Sequence, residues 1–207
     1  MPDVRSKKVS DFLDKCTDEI ERSIVINKSL YSEFDVKRGL RNADGSGVMA
    51  GVTRIGNVRG YYIVDGEKTP MEGQLIYRGI DVNDLVSGFM KENRFGYEET
   101  AYLLLFGNLP DKQTLDDFKE ILAEYRCLPD GFTEDMILAA PSKDIMNKLA
   151  RGVLALYSYD PDPEPEAGNI HKELDQALHL IARCPVITAN AFAAKKHYYD
   201  NESLYIH

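Results

Sequence analysis

Histidine and cysteine are the residue types of this chain that most readily bind metals or act as catalysts. His171 and His179 lie eight residues apart, about two helical turns, so they would share one helix face but stand too far apart for a common ion. Cys16, Cys127 and Cys184 are odd in number and widely spaced, with no C-x-x-C pair. We therefore expect no bound metal, and reduced cysteines in a helical core.

A glycine-rich stretch over residues 45–50 matches the dinucleotide-binding pattern G-x-G-x-x-A by its letters. That pattern binds a pyrophosphate only where it joins a strand to the start of a helix. Here charged residues precede it and β-prone residues follow, so the sequence predicts an ordinary loop. A G-x-S-x-G elbow is also absent, and no Ser-His-Asp or Cys-His set can be assembled from the sequence.

The elements before residue 81 are one helix and a small hairpin. Residues 1–30 contain an amphipathic helix, expected over 10–26, because apolar residues recur there at three- and four-residue steps behind a capping Ser10. Residues 31–80 are glycine-rich, with short β-prone pieces between 52 and 78. Asp65 and Gly66 are typical of a two-residue hairpin turn, so we expect a small hairpin in this segment.

Residues 81–207 predict a nearly continuous series of helices, which makes the chain mainly all-α. Ser142 is placed to cap a helix with an apolar stripe over 145–157. The alternating prolines of 160–165 predict an exposed, extended acidic connector. The last helix is expected over 170–198, where Pro185 either kinks it or begins a second segment.

The charge balance argues against two classes of partner. Lys and Arg total 25 against 34 Asp and Glu, a formal net charge of −9, which repels nucleic acid and anionic membrane surfaces. The longest uncharged run, residues 184–194, is far shorter than the roughly 18 residues of a membrane span. Since no secretory signal pattern opens the sequence, we expect a soluble, cytoplasmic protein.

Several segments occur in an order that resembles one enzyme family. They are residues 51–55 (GVTRI), 75–81 (LIYRGID), 98–110 (EETAYLLLFGNLP), 149–157 (LARGVLALY) and 180–187 (LIARCPVI). Together they resemble the citrate synthases, the acyltransferases that condense acetyl-CoA with oxaloacetate to citrate and CoA at the entry to the tricarboxylic acid cycle. The resemblance covers roughly residues 38 to 207.

The resemblance implies a helical large domain of a citrate synthase, truncated and without the small domain. The two histidines and the aspartate that the family uses for catalysis would lie beyond His207, so we expect this chain alone to be inactive, with no catalytic residue of its own. Acetyl-CoA would be a co-substrate of the complete enzyme, and no cofactor would be tightly bound. Arg41 is the residue that the resemblance aligns with a possible coenzyme A contact.

The resemblance also implies a homodimer, formed through the helices near residues 144–157 and 170–198. Two alternatives to a citrate synthase stay open at this point. One is 2-methylcitrate synthase, which takes propionyl-CoA, because nothing in this part of the sequence contacts the acyl group. The other is a non-catalytic all-α interaction scaffold, because a fold does not determine a function.

Overall fold

The computed structural model describes residues 7–34, 36, 48, 51–164 and 168–206. The chain is mainly helical with one small antiparallel sheet, which confirms the predicted fold class. The helices are α1 (Lys7–Ile24), α2 (Ser29–Glu33), α3 (Val82–Lys91), α4 (Tyr97–Phe106), α5 (Lys112–Tyr125), α6 (Ile145–Leu156) and α7 (Ile170–Asp200). The strands are β1 (Gly56–Val64), β2 (Glu67–Tyr77) and β3 (Ile80–Asp81); a π-helical turn covers Thr133–Leu138 and a 3₁₀ turn Tyr157–Tyr159.

The hairpin of β1 and β2 forms where the sequence predicts it. Val64 pairs with Glu67, and the two residues between them, Asp65 and Gly66, have φ angles of 52° and 83°. Positive φ at both central residues is the signature of a type I′ turn, which matches the twist of the flanking strands. A second tight turn at Arg78 and Gly79 then adds β3 to the edge of β2.

Contacts divide the chain into two compact units, Met1–Thr17 with Asp116–His207, and Asp18–Leu115. The second unit holds the sheet with α3 and α4, and its buried side chains include Leu85, Leu103 and Phe106. Gly107 ends α4 in the left-handed conformation, as expected from its position before Pro110. The division predicted from the sequence, into 1–30, 31–80 and 81–207, stays a prediction.

In the unit that contains α6 and α7, these two helices pack against each other and against the π-helical turn. Gly152 allows the close approach, because a Cβ added there would lie 3.0 Å from Cγ2 of Ile187. Small residues at such positions let two helices approach closely enough to exclude water. The buried cluster at this junction consists of Phe132, Ile137, Leu156, Ile187, Ala191 and Ala194.

Two details of the helix ends differ from the sequence predictions. Asp144, rather than Ser142, caps α6: its side chain accepts a hydrogen bond of 3.0 Å from the main-chain N–H of Asn147, whereas Ser142 accepts from Asp144 itself. The helix begins two residues later than Ser142 would require, so only Asp144 reaches a free N–H of the first turn. α7 runs through Pro185 as one helix of 31 residues, so the alternative of a second segment is wrong.

By length and composition, α7 meets the minimum for a membrane-crossing helix, with a mean hydropathy of 1.3 over an 18-residue window. The uncharged run of residues 184–194, on which the sequence prediction rests, is therefore shorter than the apolar part of α7. A third of that window is buried within the protein. Core helices of soluble proteins pass the same test, so this feature is weak evidence for a membrane span.

Candidate functional site

The residues singled out in the sequence lie in separate places. Arg41, the predicted coenzyme A contact, and His207 lie outside the described residues. Nε2 of His171 lies 3.2 Å from Oδ1 of Asp14, whereas Nδ1 of His179 lies 3.0 Å from the main-chain oxygen of Asp175. The two histidines thus have different partners within their unit.

The three cysteines form no disulfide, but they do not all lie in a helical core. Cys16 is buried in α1, whereas Cys127 lies exposed just after the end of α5, so the prediction was wrong for Cys127. The reason is that α5 stops at Tyr125, and the following residues no longer continue its buried stripe. Cys184 is partly buried, and burial raises the pKa of its thiol.

A cleft of about 560 Å³ lies beside α7, and we call it the α7 cleft. Its polar lining from α7 comes from Lys172, Asp175, Gln176, His179 and Arg183, which recur at three- and four-residue steps and so share one helix face. The opposite wall contains the end of α6, the 3₁₀ turn and the proline-rich segment from residue 160.

Two residues that line the α7 cleft, Asp175 and His179, form a polar network with Tyr125 of α5. The Tyr125 hydroxyl donates a hydrogen bond of 2.7 Å to Oδ1 of Asp175, whose side chain is buried. The His179 ring stacks on the Tyr125 ring, with centroids 3.9 Å apart and planes 12° apart. Buried carboxylates are tolerated when they are hydrogen-bonded, so this network holds α5 and α7 together.

The proline-rich segment is tied to α7 by polar contacts. Nε2 of Gln176 donates to Oδ2 of Asp160 at 2.8 Å and to the main-chain oxygen of Asp162 at 3.0 Å. Partial burial acts to raise the pKa of Asp160, but hydrogen bonds from Asp162 and Gln176 and the charge of Lys172 outweigh it, and the pKa is lowered. The connector predicted over 160–165 is non-helical, but the chain bends at residues 161–164 instead of running extended, because Gln176 ties its start to α7; Pro165 lies outside the described residues.

Sequence reasoning did not find the Tyr125, Asp175 and His179 network. The available signal was Asp175 and His179 at i and i+4 within an apolar helix, since charged residues on such a helix are rarely buried without partners. The Asp175 carboxylate has little capacity to act as a catalytic base, because it is only 2% exposed and already accepts a hydrogen bond from Tyr125. The network therefore stabilises the unit, and its Asp175 carboxylate is closed to a substrate.

α6 and α7 also carry large apolar side chains that face solvent. Met146 and Leu154 on α6 are 73% and 76% exposed, and Phe192 and Tyr198 on α7 are 49% and 64% exposed. We call these four residues the α6–α7 apolar surface. Large apolar side chains exposed on two helices that pack against each other form a candidate interaction surface.

Comparison with protein families identifies the fold and the family together. The family model described as "Citrate synthase, C-terminal domain" matches residues 43–206, most of the chain. This chain belongs to the citrate synthase family. The segments that resemble citrate synthases in the sequence lie within the matched range, which confirms the resemblance.

Curated citrate synthases of several organisms are similar to the chain. That of Saccharolobus solfataricus is 33% identical over 133 residues, covering 64% of this chain and 32% of the relative. That of Haloferax volcanii is 31% identical over 157 residues, covering 75% and 36%. The 2-methylcitrate synthase 1 of Corynebacterium glutamicum is 29% identical over 159 residues, covering 76% and 35%. The chain thus spans about a third of the length of the curated relatives that it matches.

Two solved citrate synthase structures have a similar fold. The enzyme of Thermoplasma acidophilum, solved with carboxymethyl coenzyme A and oxaloacetate, has a TM-score of 0.58 and 22% identity, covering 84% of this chain and 37% of that chain. The enzyme of Pyrobaculum aerophilum has a TM-score of 0.56 and 26% identity, covering 78% and 40%. At this identity the first likeness concerns the fold alone.

Proposed function

We propose that this chain forms the helical scaffold of a citrate synthase, an acyltransferase that condenses acetyl-CoA with oxaloacetate to give citrate and CoA. The observation that carries the proposal is the family match over residues 43–206. The helical fold with one small sheet supports it, since solved citrate synthases share that fold. Acetyl-CoA is then a co-substrate of the complete enzyme and not a resident cofactor.

We also propose that the 207-residue chain does not catalyse the condensation by itself. Removing a proton from the thioester methyl group requires a positioned base, and the enol that forms needs a hydrogen-bond donor. Among the carboxylates that line the α7 cleft, Asp175 is buried against Tyr125 and so is not accessible to a substrate. Arg41 stays the predicted coenzyme A contact.

A second acyl donor has its own support. The similarity to the 2-methylcitrate synthase of Corynebacterium glutamicum covers 76% of this chain, about as much as the similarity to the citrate synthase of Haloferax volcanii. Propionyl-CoA is therefore the alternative donor. The two donors differ by one methylene, which changes the binding free energy by only about 1–3 kcal/mol. The preferred donor therefore has to be determined by an activity assay.

The test is release of free CoA thiol in the presence of oxaloacetate, with acetyl-CoA and propionyl-CoA in parallel. The 207-residue chain is assayed beside the product of its complete reading frame, with the Thermoplasma acidophilum enzyme as the positive control. We expect activity in the complete product and none in the 207-residue chain. Turnover by the 207-residue chain would refute its inactivity, and inactivity of the complete product with both donors would favour a non-catalytic scaffold.

We propose in addition that two copies associate through the α6–α7 apolar surface. Its exposed side chains support this, because burying them in a dimer removes apolar area from water. The measurement is molar mass by light scattering, with 23.4 kDa for one chain. We expect twice that mass for the unaltered chain and at least a tenfold weaker association for Leu154→Glu.

The matched control for the dimer is Val58→Glu, which adds the same charge at a site on β1 that is 80% exposed. It should leave the association unchanged, and equal weakening by both variants would contradict the proposed interface. We further propose a cytoplasmic location, which three cysteines outside any disulfide favour because a reducing compartment keeps thiols reduced. Cell fractionation with an antibody against the chain tests the location.

A further inference from the structure

We infer that a cleft within the unit Asp18–Leu115 binds a phosphate-type anion. The cleft has a volume of about 490 Å³ and is lined by arginines from three elements. Arg22 lies on α1, Arg54 precedes β1, and Arg78 occupies the turn between β2 and β3. We call this site the arginine cleft, and it is separate from the α7 cleft.

No carboxylate of the described residues neutralises these three guanidinium groups. Nε of Arg22 donates to the main-chain oxygen of Asp18 at 2.9 Å. Nε and Nη2 of Arg78 donate to the main-chain oxygen of Leu104 at 3.1 and 2.8 Å. Arg54 makes no hydrogen bond or ion pair with any residue in the described part of the chain. Each guanidinium therefore keeps N–H donors for a ligand, since each carries five.

One carboxylate does line the arginine cleft, that of Glu19, and its partner is the amide of Asn108 in the same lining. When the Asn108 amide is oriented so that both its atoms have suitable partners, its nitrogen donates to Oε1 of Glu19 at 2.6 Å and to the main-chain oxygen of Phe106 at 3.2 Å. Three arginines and one glutamate leave the lining with a formal charge of +2, in a chain whose net charge is −9. A local excess of positive charge in an acidic protein attracts anions.

The position of Arg78 is set by the fold before any ligand arrives. The end of α4 supplies the carbonyls that hold its guanidinium, and Gly107 follows with φ of 92°. A Cβ at Gly107 would lie 3.9 Å from Cζ of Arg78 and 3.9 Å from Cβ of Ser23, so this wall of the cleft is closely packed. A donor held in place loses little conformational freedom on binding, which favours affinity.

The arrangement favours phosphate over carboxylate. A carboxylate is satisfied by the fork of one guanidinium, whereas a tetrahedral dianion offers oxygens to several cations at once. A cleft of about 490 Å³ has room for free phosphate and for the phosphate group of a small ester, so the ligand is one of these two. These two sources share the same recognition chemistry and are separated by experiment.

The test is isothermal titration calorimetry of the full 207-residue chain at a constant ionic strength of about 0.15 M, where unspecific surface attraction is largely screened. The probes are inorganic phosphate, glycerol 3-phosphate and citrate. We expect saturable binding of one phosphate probe per chain, with citrate at least tenfold weaker. If glycerol 3-phosphate binds more tightly than inorganic phosphate, the ligand is a phosphate ester. If inorganic phosphate binds more tightly, the ligand is the free ion.

The deciding variant is Arg54→Gln, since Arg54 is exposed and its side chain has no partner among the described residues whose loss would disturb the fold. Binding should weaken at least tenfold. Arg59→Gln is the matched control, because Arg59 is an exposed arginine of β1 that does not line the cleft. The phosphate affinity of Arg59→Gln should stay within about twofold of that of the unaltered chain, since this substitution removes one charge without removing a ligand contact.

Three results would overturn the inference: no saturable binding of either phosphate probe, equal weakening by both arginine variants, or citrate bound as tightly as phosphate. If circular dichroism shows that Arg54→Gln is unfolded, Arg22→Gln takes its place with the same expectation. The outcome does not depend on acyl transfer, because neither acetyl-CoA nor oxaloacetate is present.

Discussion

The Tyr125 hydroxyl donates to Oδ1 of Asp175 across 2.7 Å, and this contact joins residues 50 positions apart in the sequence. It ties the last residue of α5 to a buried position in the second turn of α7. The His179 ring stacks on the face of the Tyr125 ring. The Tyr125 hydroxyl is thus a neutral donor to a buried carboxylate, and Nδ1 of His179 lies 3.7 Å from the same oxygen, Oδ1 of Asp175.

Tyr125→Phe should lower the free energy of unfolding by about 1–3 kcal/mol, because it removes a donor from a buried carboxylate and leaves the packing of the ring in place. The measurement is urea unfolding followed by circular dichroism. Tyr62→Phe, at an exposed position of β1, is the control and should change stability by less than about 0.5 kcal/mol. Equal effects of the two variants would show that the buried hydrogen bond does not stabilise the fold.

Lys148 gives a second test, because its side chain is only 3% exposed. Its Nζ donates to the main-chain oxygens of Met136 and Ala140, at the end of the π-helical turn. Lys148→Met leaves both carbonyls without this donor, so we expect a loss of about 1–3 kcal/mol at neutral pH. Lys143→Met, at an exposed position nearby, is the control for the charge.

The same residue makes stability depend on pH. Burial, and then the charge of Arg151, lowers the pKa of Lys148 below 10.5 in the folded state. Between that lowered pKa and 10.5 the unfolded chain binds more protons, so stability contributed by this group rises with pH. The stability difference between the unaltered chain and Lys148→Met should therefore widen as the pH approaches 10.5. Urea midpoints that stay a constant distance apart would contradict this.

Two helical glycines should respond oppositely to a side chain. Gly88 in α3 has no atom within 4 Å of an added Cβ, so Gly88→Ala should raise the free energy of unfolding by about 0.5–1 kcal/mol through helix propensity. At Gly152, Ile187 already lies 3.0 Å from the Cβ position, so Gly152→Val should lower it by about 1–3 kcal/mol. Thermal unfolding of both variants measures the signs, and a stabilised Gly152→Val would disprove the close packing of α6 on α7.

We expect Asp81 to make the stability of the fold depend on pH in the acid range. The main-chain N–H of Asn83 and the amide of Gln74 lower the pKa of Asp81 below 3.8. Its folded pKa is depressed, so its contribution to stability is present above the unfolded pKa and is lost as the pH falls through the folded one. Asp81→Asn keeps a capping oxygen without the charge, so its stability should fall less steeply between about pH 5 and about pH 3. Parallel curves for the two proteins, measured by urea unfolding, would rule out this role.

Local patterns predicted most of the elements. The apolar steps of α1 and α6 and the glycine after α4 are properties of neighbouring residues, and they match the structure. The cap of α6 was missed because Ser142 and Asp144 are both good caps, and only the position of the first helical turn decides between them. The exposure of Cys127 was missed because it depends on where α5 ends.

The sequence by itself determined the family, the helical class and the hairpin turn at Asp65 and Gly66, because periodicity, turn chemistry and ordered motifs are written in neighbouring residues. The tertiary structure alone decided which distant groups meet. It brings Tyr125 to Asp175, and Arg22 and Arg54 to one cleft with Arg78. Such meetings depend on how helices and turns pack, and packing places residues side by side that no local pattern relates.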